Sequence, residues 1–271
     1  MQRYFFHCAY RGTHYRGWQR QSKVVSIQET IEIALSKLLK EKTLITGCGR
    51  TDAKVHARQY FFHVDIEKSW EYDLIFRLNN NLPSDIVIYE IIPVAHNAHA
   101  RRDANSRTYH YFFHLNKNPF LDESSVYYPL HKLDTQAMTN ACALLKDNNN
   151  YIALCKTPDR VESTICNVTQ AAFYKNKEKN ILCFQITSNR FLRGMVRALV
   201  SELLSIGQGT SQKERLEPLL TKYVAPGELD FAHPQGLYLS DIQYAYLKRE
   251  TETDLISNFQ LSPTWSKIIA K

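Results

Sequence analysis

Ser26-Ile27-Gln28-Glu29-Thr30-Ile31-Glu32-Ile33-Ala34-Leu35-Ser36-Lys37-Leu38 is the stretch on which the fold reading turns. Ser26 followed by Glu29 makes a capping box, in which each side chain satisfies an amide that the first helical turn leaves without a partner. Ile27, Ile31, Ala34, Leu35 and Leu38 then repeat at helical spacing until Lys40. The stretch predicts one amphipathic helix with a defined start and one apolar face.

Outward from that helix the neighbours read as strands. Residues 3–10 are rich in aromatics and end at the turn signal Arg11-Gly12-Thr13. Downstream, residues 44–46 read as a short strand, and residues 59–65 alternate strongly enough for another. Residues 72–78 read as a second helix broken before Leu82-Pro83, and 86–92 as a buried strand closed by Pro93.

The order is β-α-β-β-α-β, and it recurs. Residues 107–115 form the next strand, 134–145 a helix, and 166–174 with 181–187 a hairpin around Lys175-Asn176-Lys177-Glu178-Lys179-Asn180. Residues 191–206 follow as a helix ended by Gly207, then 237–246 as the last strand. A repeat of topology with little repetition of sequence predicts an α+β fold. Its two halves can join their sheets, with helices on the far face and a cleft on the other. The connections over 116–132 and 208–236 are long for structureless loops and are expected to carry short helices or substrate-contacting excursions. The expected division is an N-terminal α/β half over 1–100, a C-terminal α/β half over 101–249, and a peripheral tail over 250–271 pinned by Ile268 and Ile269.

With 271 residues, 44% hydrophobic and 23% charged, the chain has the composition of an ordinary folded protein with a sizeable core. A formal net charge of +7 and a pI near 9.0 suggest a polyanionic partner, although many basic surfaces serve only solubility. Nowhere do eighteen apolar residues run together, and Met1-Gln2-Arg3 leads straight into a strand-like segment, so a cytoplasmic protein with no membrane partner is expected.

Cys8, Cys48, Cys142, Cys155, Cys166 and Cys183 are widely spaced with no C-x-x-C pair. They read as reduced small hydrophobes, neither staples nor zinc ligands. His110 and His114 share a strand face but stand about 13 Å apart along it, too far to chelate one metal. No metal site is expected.

Gly47-Cys48-Gly49-Arg50-Thr51-Asp52-Ala53-Lys54-Val55-His56-Ala57 carries the densest chemistry. Glycines at the end of a short strand permit unusual backbone angles and close approach of a ligand. Read alone, the stretch is equally a tight turn in which Asp52 caps amides and Arg50 makes a surface ion pair, or an Asp presented as nucleophile or base.

Three further clusters mix cations with aromatics. Arg101-Arg102-Asp103-Ala104-Asn105-Ser106-Arg107-Thr108-Tyr109-His110-Tyr111 runs from a cationic loop into an aromatic strand, suited to phosphates at the rim and a base stacked inside. Asn189-Arg190-Phe191-Leu192-Arg193-Gly194-Met195-Val196-Arg197-Ala198 opens a helix on which Arg193 and Arg197 share a face. Tyr10-Arg11-Gly12-Thr13-His14-Tyr15-Arg16-Gly17-Trp18-Gln19-Arg20-Gln21 reads as a mobile loop able to grip RNA backbone. Each cluster also reads as a solvated face beside core aromatics.

The loop Y-R-G-T-H-Y-R-G-W-Q-R-Q, G-R-T-D-A-K-V-H-A, R-x-Y at Arg107 to Tyr109, F-L-R-G-M-V-R at Phe191 to Arg197, and G-L-Y-L at Gly236 to Leu239 occur in family order over residues 1–246. Together they resemble the tRNA pseudouridine synthase A family. That resemblance implies a pseudouridine-synthase fold of two ferredoxin-like-related halves around a basic cleft. It implies isomerisation of uridines 38, 39 and 40 in the tRNA anticodon stem-loop, no cofactor, and a homodimer.

By motif, the resemblance makes Asp52 the essential catalytic aspartate and Tyr109 the tyrosine packed over the target base. It makes Arg197 the partner of the aspartate, and Arg50 a positioner of the extruded nucleotide's phosphates. Arg11, Tyr15, Arg16, Lys54, Arg101, Arg102, Arg107 and Arg193 are the further expected RNA contacts. The reaction breaks the N1–C1′ bond, turns the uracil and joins C5 to C1′; attack by Asp52 at C1′ or at C6 remains open. This chain has Lys54 where the family usually has glycine, and Gly194-Met195-Val196-Arg197-Ala198 where H-M-V-R-N is common. A synthase acting on another RNA or tRNA position, and a tRNA-binding protein without catalysis, are the rival readings.

Overall fold

The computed structural model describes residues 1–67, 70–176, 180–221, 229–247 and 265–270. Among these, Met1–Asn105 with 238–247 form one compact unit, and Ser106–Leu237 with 265–270 another.

In the first unit the order is β1 (Gln2–Tyr10), α1 (Ile27–Leu39), β2 (Thr46–Gly47), β3 (His56–Ile66), α2 (Leu74–Asn81) and β4 (Ile86–Pro93), with β9 (Leu237–Tyr244) contributed from late in the chain. β1 lies between β3 and β4, antiparallel to both. β9 runs parallel to β3, with His56 opposite Tyr238 and Ala57 opposite Leu239. Ser26 caps the helix, its Oγ accepting the amide of Glu29 at 3.3 Å. Ile27, Ile31, Ala34 and Leu35 are buried, together with Leu39 and Glu32. Asp73 caps α2 by accepting the amide of Phe76 at 2.9 Å, so the helix starts two residues later than expected from sequence. β3 begins three residues earlier than its alternation suggests, because pairing to Tyr10 and Tyr238 extends it.

In the second unit, β5 (Ala104–His114) pairs antiparallel with β8 (Ile181–Ser188), and β8 with β7 (Val168–Asn176). The first long connection carries a 3-10 turn, Pro119–Leu121, and β6 (Val126–Tyr127), which runs parallel to β5. The expected helix over 134–145 is split into α3 (Thr135–Cys142) and α4 (Leu144–Asp147), where the amide of Ala143 reaches Asn140, three residues back. α5 (Met195–Gln208) does not stop at Gly207. That glycine is buried in the helix against Met138 and Leu133, and Gly209, at φ +74°, ends it by donating to Ile206. The second long connection carries α6 (Lys213–Thr221).

The expected pin of the tail is made by backbone groups, with the Ile269 carbonyl accepting from Gln136 Nε2 at 3.0 Å. β10 (Trp265–Lys267) pairs with β7, and the amide of Ile268 donates to Phe173 at 2.9 Å, while the Ile269 side chain is exposed. The architecture is thus mixed α+β, mainly antiparallel with parallel pairs. No helix among the described residues is long and apolar enough to cross a membrane. All six cysteines are buried free thiols.

Candidate active site

Asp52 stands in the link between β2 and β3, and the N-terminal loop is its rear wall. Residues 11–21, expected to be mobile, are instead tied down along their length. The amide of Arg11 donates to the carbonyl of Asp85 at 2.9 Å, and the Tyr15 hydroxyl donates to Asp85 Oδ1 at 2.7 Å. Farther along, Arg20 Nε meets the buried Glu32 carboxylate at 3.1 Å. Tyr15, expected as an RNA contact, is buried, and burial with the Asp85 bond pushes its phenol well above the ordinary range.

Two backbone bonds join this wall to the loop bearing Asp52. The amide of Trp18 donates to the Thr51 carbonyl at 3.2 Å, and the amide of Lys54 to the Tyr15 carbonyl at 3.2 Å. Close approach requires glycine. At Gly17, φ is +92° and a Cβ would lie 2.5 Å from the Thr51 oxygen and 3.1 Å from the Asp52 carbonyl carbon.

Side chains complete the support. Tyr10 and Thr51 hydroxyls share a bond of 2.8 Å, and the Tyr60 hydroxyl donates to the Gly49 carbonyl at 2.6 Å. Trp18 stacks on Tyr60 with centroids 4.0 Å apart. Thr51 is buried and Asp52 half-buried, while Arg50 and Lys54 are exposed on either side of them. Lys54 adopts φ +65°, the left-handed region where a side chain costs about 1–2 kcal/mol. That conformation explains why glycine suits this position. Arg11 and Arg16 are also exposed, so they gather with Arg50, Asp52 and Lys54 around one pair of loops.

Arg101 and Arg102 do not join that group. His99 Nδ1 accepts both of their amides, at 3.1 and 3.3 Å, and the His99 ring packs against His63. His63 is seven residues along β3 from His56, roughly 23 Å at about 3.3 Å per residue. His63 Nδ1 accepts the amide of Ala100 at 3.2 Å, and burial beside the Arg3 cation lowers its pKa to about 4. Arg3 clasps Asp65 at 2.7 and 2.6 Å, which holds that carboxyl below its usual range.

In the second unit β5 meets the segment entering α5. Tyr109, half-buried, packs edge-on to Phe191 at 5.0 Å, and Arg107 Nη1 donates to the Asn189 carbonyl at 3.0 Å. Arg197, half-buried, donates Nε to the Ala232 carbonyl at 2.6 Å and stands 5.7 Å from the centre of the Phe231 ring. Nearby, the Tyr111 and Tyr128 hydroxyls share a bond of 2.9 Å. Burial raises both phenols, against the pull of Arg197. Arg193 is exposed.

Phe231 explains Gly194, since a Cβ there would lie 2.7 Å from the ring edge. Phe231 itself carried no signal beyond lying in a suspiciously long connection. His56, Tyr10, Trp18 and Tyr60 were likewise not singled out, although the first three lie in quoted motifs. Among the described residues, no three His, Cys, Asp or Glu side chains are grouped to hold a metal ion.

Residues 141–245 match a family model described as tRNA pseudouridine synthase. The tRNA pseudouridine synthase A of Porphyromonas gingivalis is 41% identical over 247 residues, 90% of this chain and 98% of that protein. That of Parabacteroides distasonis is 42% identical over 212 residues, 77% of this chain and 82% of that protein. That of Chlorobaculum tepidum is 36% identical over 239 residues, covering 87% and 95%. The chain belongs to the tRNA pseudouridine synthase A family.

Proposed function

We propose that the protein isomerises uridine to pseudouridine at positions 38, 39 and 40 of the tRNA anticodon stem-loop, with Asp52 as covalent catalyst and no cofactor. The observation that carries this reading is the support given to Asp52. Backbone bonds on both sides, a glycine pressed against its carbonyl carbon and a buried aromatic wall hold the backbone of this half-buried residue in place. A surface turn needs none of that.

Asp52 forms a bond to the nucleotide, at C1′ or C6, and releases it after the uracil has turned. The N1–C1′ bond breaks, C5–C1′ forms, C5 loses its proton and N1 gains one, so no donor or oxidant is consumed. By family resemblance, Arg197 is the arginine taken to keep the catalytic carboxylate ionised. Tyr109 packs on the extruded base, its ring braced by Phe191. Arg50 positions the phosphates of that nucleotide.

Arg11, Arg16, Lys54, Arg101, Arg102, Arg107 and Arg193 supply further phosphate contacts, in keeping with the net charge of +7. Tyr15 is left out because its hydroxyl is spent on Asp85. The fold is of the pseudouridine-synthase kind, and the enzyme works in the cytoplasm as a homodimer. Mapping pseudouridine in tRNA transcripts treated with wild type or Asp52→Ala tests the reading. Product at the anticodon arm with wild type alone supports it, and product from the variant overturns the role of Asp52.

A further inference from the structure

Three separated stretches of the chain converge on His56. It opens β3, four residues after Asp52, and its ring is 1% exposed. Nδ1 accepts the amide of Gly12 at 3.2 Å, so the ring proton sits on Nε2. The same ring stacks on Tyr238 of β9, with centroids 4.5 Å apart and planes 21° from parallel. Gly12 is seated so closely on the neighbouring carbonyl of Val55 that any Cβ would collide with it.

From Gly12 the N-terminal loop runs on to Tyr15, which takes the amide of Lys54, and to Trp18, which donates to Thr51. The loop of Asp52 is thereby held at three successive points, His56, Lys54 and Thr51. His56 is the side chain that closes the end nearest β3. On the reading that Asp52 is the catalyst, we propose that His56 is a positioning residue. Its imidazole locks the N-terminal loop onto the Asp52 loop, taking one hydrogen bond from Gly12 and resting on Tyr238. It sets the carboxylate's position without touching RNA.

This role separates two properties of the ring. His56→Phe keeps a flat ring over Tyr238 and removes the acceptor. His56→Asn removes the ring and keeps an acceptor oxygen close to where Nδ1 stands. Each is compared with wild type for the single-turnover rate of pseudouridine formation in a tRNA transcript, for tRNA dissociation constant by filter binding, and for amide exchange of residues 12–18 and 51–55.

His56→Phe is expected to lower the single-turnover rate about 10- to 100-fold, since misplacement of a catalytic group by about 1 Å has effects of that order. Its tRNA affinity should stay within about threefold, and exchange in the two loops should quicken. His56→Asn is expected to recover most of the rate. A wild-type rate in His56→Phe overturns the proposal, as does parallel loss of rate and affinity in both variants, the mark of a general packing defect. Should His56→Phe not fold, His56→Asn decides: near-wild-type rate supports the role, and a rate loss matched by lost affinity overturns it. Asp52→Ala run alongside keeps the questions apart. An active Asp52→Ala sinks the catalytic reading, whereas an inactive Asp52→Ala beside a fully active His56→Phe sinks only this one.

Discussion

Adding a single methyl group at Gly17 should move the loop that carries Asp52 without touching any proposed catalytic side chain. The residue has φ +92°, so an L side chain there costs about 1–2 kcal/mol in backbone strain. The new Cβ would lie 2.5 Å from the Thr51 oxygen, 3.1 Å from the Asp52 carbonyl carbon and 3.3 Å from the Ala53 nitrogen. Ordinary separations are about 3.5 Å, so the two loops must part by roughly 1 Å. Overpacking of this kind adds about 1–3 kcal/mol to the strain. Gly17→Ala should therefore lose about 2–5 kcal/mol of stability in urea titrations. Its single-turnover rate, measured at low temperature with enzyme in excess over a tRNA transcript, should fall about 100-fold. A variant that keeps its urea midpoint and a rate within about threefold of wild type would refute the claim that Gly17 sets the position of Asp52.

Lys54→Gly relieves the left-handed strain but frees the unfolded chain, so stability should stay within about 1 kcal/mol of wild type. Loss of one phosphate contact should lower the slope of log Kd for tRNA against log salt by about 0.7–0.9, and an unchanged slope would remove Lys54 from the RNA interface. Tyr15→Phe, by contrast, should cost about 1–2 kcal/mol through the lost bond to Asp85 while leaving that slope alone. His63 is held neutral in the fold, with its pKa at about 4 against 6.5 ordinarily. The unfolded chain takes the proton first, so its contribution is complete above pH 6.5 and fades as pH falls toward 4, a loss on the order of 1–3 kcal/mol. Urea midpoints measured from pH 7 to 4.5 should fall more steeply in wild type than in His63→Gln; equal slopes would count against it.

How much of this was legible depended on how far apart the partners lie in the chain. The helix at Ile27–Leu39 could be read directly, because cap, stripe and stop are neighbours in sequence. The same holds for the β-α-β-β-α-β order of the first 93 residues. What failed was non-local. The N-terminal loop looked mobile because its anchors are distant: Asp85 is 70 residues from Tyr15, and an aromatic beside two arginines reads equally as an RNA contact. The partner of β9 could not be read, since alternation fixes which residues share a face and not which strand they meet. β6, with two residues, has no period to detect. Gly207 was the expected helix stop, and packing against Met138 and Leu133, distant in sequence, keeps it inside the helix. At the site, Asp52 stood out by its polar neighbours, whereas the buried ring of His56 meets Gly12 and Tyr238, partners distant in sequence that local pattern does not announce.

The central claim is that Asp52 performs covalent isomerisation on tRNA, and one measurement bears on it most directly. Unmodified tRNA transcripts carrying uridines at 38, 39 and 40 are incubated with wild type or Asp52→Ala, and pseudouridine is mapped nucleotide by nucleotide. Pseudouridine at those positions with wild type, and none with Asp52→Ala despite retained tRNA binding, is the predicted result. Equal product from Asp52→Ala, or no product from wild type on any anticodon arm, would contradict it.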